Sequence, residues 1–148
     1  MKRMKNSAML GLAFALATGF LFTTAIQAKI TKGKSRPMTT KQLMNGVVKA
    51  HCTALKKALD AGPADDKAWD AVALHAAILN ESSFTLMDDG RCPDGVWAGA
   101  ATKNLRAGTA AVLKAAEAKD VEAAKAGFKN VTQSCSACHK AHKPKKKK

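Results

Sequence analysis

The chain has 148 residues, which suits one domain, and it is strongly basic, with 25 Lys and Arg against 11 Asp and Glu and a net charge of +14. That balance indicates contact with anionic lipid, polymer or acidic protein surfaces, and the lysines lack the interleaved aromatic residues typical of nucleic-acid binding. No phosphate loop, nucleotide fingerprint or Ser/His/Asp arrangement stands out, so we do not expect an enzyme.

The N-terminus has the composition of an export signal. Basic residues within the first five positions precede the apolar stretch 9–22, and small residues follow it up to a predicted cleavage after Ala28. An uncleaved membrane anchor is the alternative, because 8–26 could nearly span a bilayer. Removing the signal peptide, 1–28, leaves 22 basic and 11 acidic residues, a net charge of +11. We therefore expect an exported, periplasmic protein.

Four helical stretches follow a polar leader, 29–37, which is predicted to be flexible. Capping residues, glycine and proline set the predicted limits of the helices. Helix A begins at Thr39, with Gln42 as its capping-box partner, and ends at Gly62, and helix B begins at Asp65–Asp66 and ends between Asn80 and Met87. Helix C runs from Gly95 to Ala118, and helix D from Asp120 to Pro144. Each helix carries an apolar stripe and the loops are short. The residues predicted to face inward are Met44, Val47, Val48, His51, Leu55 and Leu59 in helix A, Trp69, Val72, Ala76 and Leu79 in helix B, and Trp97, Ala101, Leu105 and Val112 in helix C. The sequence therefore predicts an all-α, up-down-up-down four-helix bundle over 38–143, followed by a basic tail, 144–148.

The strongest chemical signal is CSACH, residues 135–139, at the end of helix D. A thioredoxin-like pair belongs at a helix N-terminus in a βαβ unit, a zinc site needs two more ligands, and a simple disulfide leaves the histidine unexplained. CxxCH suits haem c, because two thiols add to the vinyl groups on one porphyrin edge and the next residue reaches the iron. Cys135 and Cys138 are the predicted thioether anchors of one covalent haem, and His139 is the predicted proximal ligand of its iron.

Three segments resemble the class II c-type cytochromes, the group that contains cytochrome c′ and its low-spin relatives. The segment FKNVTQSCSACHKAHK (128–143) is similar to the family's terminal helix, CPDGVW (92–97) to the entry of its third helix, and KQLMNGVVKAH (41–51) to the first-helix segment that presents a Met to the iron in low-spin members. The resemblance implies that Trp97 packs near the haem. Dimerisation through the first two helices is common in the family, which leaves a homodimer open.

The chain departs from the family pattern at three positions. His142 stands where an aromatic residue is usual, and Cys52 and Cys92 are extra. Export favours a disulfide between these two cysteines, which would fix the loop before helix C onto helix A. Straight helices place Cys52 too far from that loop unless the segment 81–91 folds back along the bundle, so two unpaired thiols are the alternative.

The sixth iron ligand decides the chemistry, and helix geometry favours Met44. The start of helix A and the end of helix D lie at the same end of the bundle. His139 is roughly 5 Å from that end of helix D and Met44 roughly 6 Å into helix A, at 1.5 Å per residue. His51 and His75 lie deeper, so a histidine ligand is the weaker alternative. Met44 could also be plain core packing, which would leave the distal site open.

Each ligand set predicts a function. His/Met coordination keeps the coordination number constant and suits a one-electron carrier, whereas an open apolar site binds nitric oxide or carbon monoxide. We expect the electron carrier, with gas binding as the alternative.

The basic cluster of Lys140, Lys143 and the tail Lys145–Lys148 lies close to the haem end. It is either a solubilising tail or a surface that steers an acidic redox partner, and contact with a membrane surface is also open.

Overall fold

The computed structural model describes residues 33–143, which form four helices and no strand. Helix α1 runs without a break through Thr40–Leu43, Met44–Val48 and Lys49–Ala61, α2 is Asp66–Met87, α3 runs through Gly95–Gly99, Ala100–Arg106 and Ala107–Glu117, and α4 is Val121–His142. Consecutive helices pack against one another and α1 also contacts α4, so the all-α four-helix bundle is confirmed. None of the helices in 33–143 is long and apolar enough to cross a bilayer. The predicted signal peptide, 1–28, the leader up to 32 and the tail 144–148 lie outside the described residues.

Polar side chains start the helices where the sequence predicted them. Thr39 and Gln42 form a reciprocal capping box, with the Thr39 hydroxyl accepting a hydrogen bond from the backbone N–H of Gln42 at 3.2 Å. Asp65 and Asp120 cap α2 and α4 in the same way, through bonds of 2.8 Å and 2.9 Å to the N–H three residues on. These bonds satisfy backbone donors that have no partner inside the helix.

The core contains the residues that the apolar stripes of helices B and C predicted, all of which are buried: Trp69, Val72, Ala76, Leu79, Trp97, Ala101, Leu105 and Val112. Helix α1 contributes Val48, Leu55 and Leu59. Its other predicted inward residues, Met44, Val47 and His51, are half-buried.

Two stretches of π-helix, Met44–Val48 in α1 and Ala100–Arg106 in α3, were not predicted. A π stretch changes the backbone pairing from i→i+4 to i→i+5, and such stretches are frequent at functional sites. The buried Ser134 hydroxyl donates a hydrogen bond of 2.7 Å to the Ala100 carbonyl oxygen at the start of the second stretch. This bond ties α3 to the residue directly before the CxxCH motif.

Helices α3 and α4 meet backbone to backbone at two glycines. A Cβ atom built on Gly108 would lie 2.9 Å from the carbonyl oxygen of Gly127, and one on Gly127 would lie 3.0 Å from the carbonyl oxygen of Gly108. Side chains larger than hydrogen cannot be accommodated there without moving the helices apart.

The described part of the leader is held against the loop after α2. The Asp89 carboxylate accepts hydrogen bonds from the backbone N–H groups of Ser35, at 2.7 Å, and Arg36, at 3.0 Å, and from the Ser35 hydroxyl at 2.8 Å. The buried Arg91 lies 3.3 Å from the same carboxylate and donates a bond of 2.7 Å to the Met38 carbonyl oxygen. Residues 34–36 of the predicted flexible leader are therefore fixed to the bundle.

Candidate haem-attachment site

The predicted haem-binding residues lie on the last two turns of α4, which stays helical to His142. Cys135 and Cys138 are half-buried and His139 is exposed. Residues three or four apart on a helix lie on one face, so the two thiols and the imidazole are neighbours by helical geometry.

The Cys135 sulfur has an unpredicted partner, the thiol of Cys52 on α1. The Cys52 S–H donates a hydrogen bond to Cys135, which lowers the pKa of Cys135 to about 7 despite the opposing effect of burial. The same bond, with burial, raises the pKa of Cys52 well above its usual range. Burial, helped by the charges of Cys135 and Asp94, raises the pKa of Cys138 to about 11. The two predicted anchors therefore differ in acidity, and Cys135 is the better nucleophile at neutral pH.

The expected disulfide between Cys52 and Cys92 is not formed, because all four cysteines are free thiols. Helix α2 continues to Met87, so the chain does not fold back along the bundle before the loop. Cys52 instead faces Cys135, while the Cys92 sulfur lies 3.5 Å from the Asp94 carbonyl oxygen. The alternative of two unpaired thiols describes the structure, with the difference that Cys52 contacts a predicted haem anchor.

Trp97, the predicted haem neighbour, is buried beside the end of α4. Its indole N–H donates a hydrogen bond of 2.8 Å to the Leu86 carbonyl oxygen. The His142 ring packs edge-on against it, with ring centroids 5.5 Å apart. Asp94 caps α3 by accepting the Trp97 backbone N–H at 2.9 Å, and its carboxylate lies 3.3 Å from His142 Nε2. That approach is not aligned as a hydrogen bond, so neither ring nitrogen of the buried His142 has a partner within 33–143.

Met44 is half-buried, packs against the core and is the first residue of the π stretch in α1. Cys52 and Cys135 are in contact and therefore lie at the same level along the bundle axis. His139 is four residues after Cys135, so it lies roughly 6 Å closer than this level to the end of the bundle where α1 begins and α4 ends. Met44 is eight residues before Cys52, so it lies roughly 12 Å closer to the same end. Val48 therefore lies at about the level of His139, and Met44 about one turn beyond it. Met44 is at the expected end of the bundle, and its ligation of the iron stays a prediction.

The two alternative histidine ligands face each other instead. His51 Nδ1 on α1 lies 3.0 Å from His75 Nδ1 on α2, and both side chains are half-buried.

The motif residues fit a covalently attached haem. Both thiols are free and lie on one face of α4. Partial desolvation of the ring and the positive charge of Lys143 lower the pKa of His139, which favours the neutral imidazole that binds iron. No side-chain hydrogen bond within residues 33–143 occupies a ring nitrogen of His139, so it is free to act as a ligand.

Comparison with protein families gives a match over residues 93–143 to the family described as Cytochrome C'. The matched region contains Trp97, all of α3, all of α4 and the CxxCH motif. Comparisons with curated proteins and with solved structures find no match. The family carries haem c, and its members are typically periplasmic. The match and the four-helix fold together support the resemblance of the chain to the class II c-type cytochromes.

Proposed function

We propose that the protein is an exported one-electron carrier with one haem c, held by Cys135, Cys138 and His139 and ligated on its other side by Met44. The observation that carries the proposal is the position of Met44: it is half-buried against the core, at the same end of the bundle as His139, on the helix that contacts Cys135. When bound, the haem supplies a one-electron iron couple.

The residues around Met44 favour a fixed, dry position for its thioether. Leu43 is 4% exposed and Val48 is 7% exposed, so the first turns of α1 face an apolar interior. A methionine side chain is long and flexible enough to bridge an offset of about one helical turn. A ligand from the chain that is present in both oxidation states would keep structural change during electron transfer small.

The charge near His139 favours an acidic redox partner. Lys140, in the last turn of α4, and Lys143, directly after the helix, are both exposed. Like charges clustered at one end of a basic protein raise the association rate with an acidic surface and make that rate fall with salt.

One observation favours the gas-binding alternative. Val48, which is nearly fully buried, lies at about the level of His139, while Met44 lies about one turn beyond it. If Val48 rather than Met44 faces the iron, the distal side is aliphatic and open to nitric oxide or carbon monoxide.

The optical spectrum of the holoprotein, with and without carbon monoxide, tests the proposal. We expect a low-spin spectrum that carbon monoxide does not change. Met44→Ala should become high-spin and bind the gas, whereas Met87→Ala, a matched loss of a half-buried methionine in the same core, should keep the wild-type spectrum. A wild-type spectrum that is high-spin and shifts with carbon monoxide would establish the gas-binding function instead.

A further inference from the structure

His51 and His75 form a pair on one side of the bundle that haem binding does not use. His51 projects from α1 and His75 from α2, and their Nδ1 atoms are 3.0 Å apart. The ring centroids are 5.2 Å apart and the ring planes are inclined by 56°. Both side chains are half-buried, so the pair is open to water on one side.

Two imidazole nitrogens at this distance need a proton or a cation between them, because their lone pairs would otherwise repel each other. Either one N–H donates to the lone pair of the other ring, or both lone pairs bind a cation. Metal–imidazole bonds are about 2.0–2.1 Å long, so two ligands that subtend 90–110° at the metal are about 2.9–3.4 Å apart. The observed separation of 3.0 Å lies in that interval.

The protonation state of the pair also suits metal binding, because imidazole binds a metal ion in its neutral form. Burial, and then the charge of His51, lower the pKa of His75. The neutral form of His75 is therefore favoured at neutral pH, and one of its ring nitrogens carries a lone pair that can bind a cation.

We propose that His51 and His75 are a two-imidazole binding site for a borderline divalent metal ion, Cu²⁺ ahead of Ni²⁺ and Zn²⁺. Imidazole suits these three ions, and copper binds most tightly in the general order of first-row metals. No cluster of three or more His, Cys, Asp or Glu side chains occurs in 33–143, so water completes the coordination shell. The site is consequently weaker than a four-ligand structural metal site.

A bound ion would join α1 to α2 at a point separate from the haem. His51 is seven residues beyond Met44 on α1, or roughly 10 Å along the helix axis. The ion thus links the two helices without taking an iron ligand. We expect it to raise the melting temperature of the holoprotein and to leave the haem spectrum unchanged.

Calorimetric titration of the ferric holoprotein with Cu²⁺ tests the site. The Cys52→Ser, Cys92→Ser background is used so that no free thiol competes for copper. We expect one ion per chain, with at least a tenfold loss of affinity in His51→Gln and in His75→Gln. His142→Phe removes a histidine elsewhere and should bind copper as the background does. An unchanged haem spectrum in each variant shows that it is folded.

Two outcomes would overturn the proposal. One is equal copper binding by the background and by the His51→Gln, His75→Gln double variant, which would place the metal elsewhere. The other is the absence of stoichiometric binding of Cu²⁺, Ni²⁺ or Zn²⁺, which would leave the pair as a hydrogen bond between two helices. Neither result bears on the electron-carrier proposal, because the haem residues are untouched.

Discussion

The thiol of Cys52 donates a hydrogen bond to the sulfur of Cys135 and so connects α1 directly to the first cysteine of the CxxCH motif. The bond stabilises the Cys135 thiolate and holds the proton on Cys52. Before haem attachment, the motif therefore contains one acidic thiol, Cys135, and one weakly acidic thiol, Cys138.

Replacing Cys52 should make Cys135 less reactive in the apoprotein. The pKa of Cys135 is about 7, against an ordinary value of 9.0, because the Cys52 thiol donates to it. In Cys52→Ala we expect the pH midpoint for alkylation of Cys135 to rise by one to two units, and the rate at pH 7 to fall roughly tenfold. Cys92→Ala is the control, since Cys92 faces Asp94. Mass spectrometry of iodoacetamide-treated protein measures the rate, and an unchanged pH profile would contradict the assignment.

Asp89 should make stability depend on acid pH. Burial raises the pKa of this carboxyl, but hydrogen bonds from the Ser35 and Arg36 backbone, the Ser35 hydroxyl and the Arg91 charge outweigh it and lower the pKa to about 2. A lowered folded-state pKa contributes stability that is present above the unfolded value, about 4, and is lost as pH falls toward 2.

The measurement for Asp89 is the melting temperature of wild type and Asp89→Asn as a function of pH. Wild type should be more stable by a constant margin from pH 7 to 5, and the margin should shrink between about pH 4 and 2. Asp88→Asn, which changes an exposed neighbouring carboxylate in the same way, is the matched control. A margin that does not change across this range would rule out the ionised carboxylate as the source of stability.

His142→Phe should stabilise the holoprotein. The His142 ring is 7% exposed, packs against Trp97 and has no hydrogen-bond partner for either ring nitrogen within the described residues. Removing two unsatisfied buried polar atoms while keeping an aromatic ring should gain about 1–2 kcal/mol in the free energy of unfolding. Guanidinium unfolding measures the gain. A loss of stability would mean that the 3.3 Å approach of His142 to Asp94 is a net stabilising ion pair.

Gly127→Ala should destabilise the α3–α4 pair. Its new Cβ would lie 3.0 Å from the Gly108 carbonyl oxygen and from the Val112 backbone nitrogen, neither of which can move without shifting a helix. Such overpacking costs about 1–3 kcal/mol. Gly99→Ala is the matched control, because its Cβ meets nothing within 4 Å and the helix should gain about 1 kcal/mol. Chemical unfolding of both variants should therefore give shifts of opposite sign.

Local signals predicted the helices well. Thr39, Asp65 and Asp120 each cap a helix through an N–H three residues away, so the information lies within one turn of sequence. The predicted inward residues of helices B and C are confirmed for the same reason, because the 3.6-residue periodicity of apolar residues indicates which helix face is buried.

Contacts between helices could not be predicted in the same way. Cys52 facing Cys135 and His51 facing His75 depend on how far each helix is rotated about its axis. Two π-helical stretches change that rotation, and no local pattern in the sequence predicted them. An error of one residue in register turns a side chain by about 100°. The Cys52–Cys92 disulfide was expected because cysteines of exported proteins usually form disulfides. The rotation of α1 instead directs Cys52 toward Cys135.

The close backbone contact of Gly108 with Gly127 also implies that the helices of the bundle differ in local stability. Helices α3 and α4 share the most extensive contact of any pair, whereas α1 meets α4 over a short length. Segments with fewer buried contacts open more readily than the whole molecule unfolds. An opening that releases α1 would carry Met44 and Cys52 away together and leave the hairpin with the CxxCH motif intact. Amide exchange should then be slow in α3 and α4 and faster in α1, and the frequency of this opening sets how often an outside molecule reaches the position that Met44 occupies.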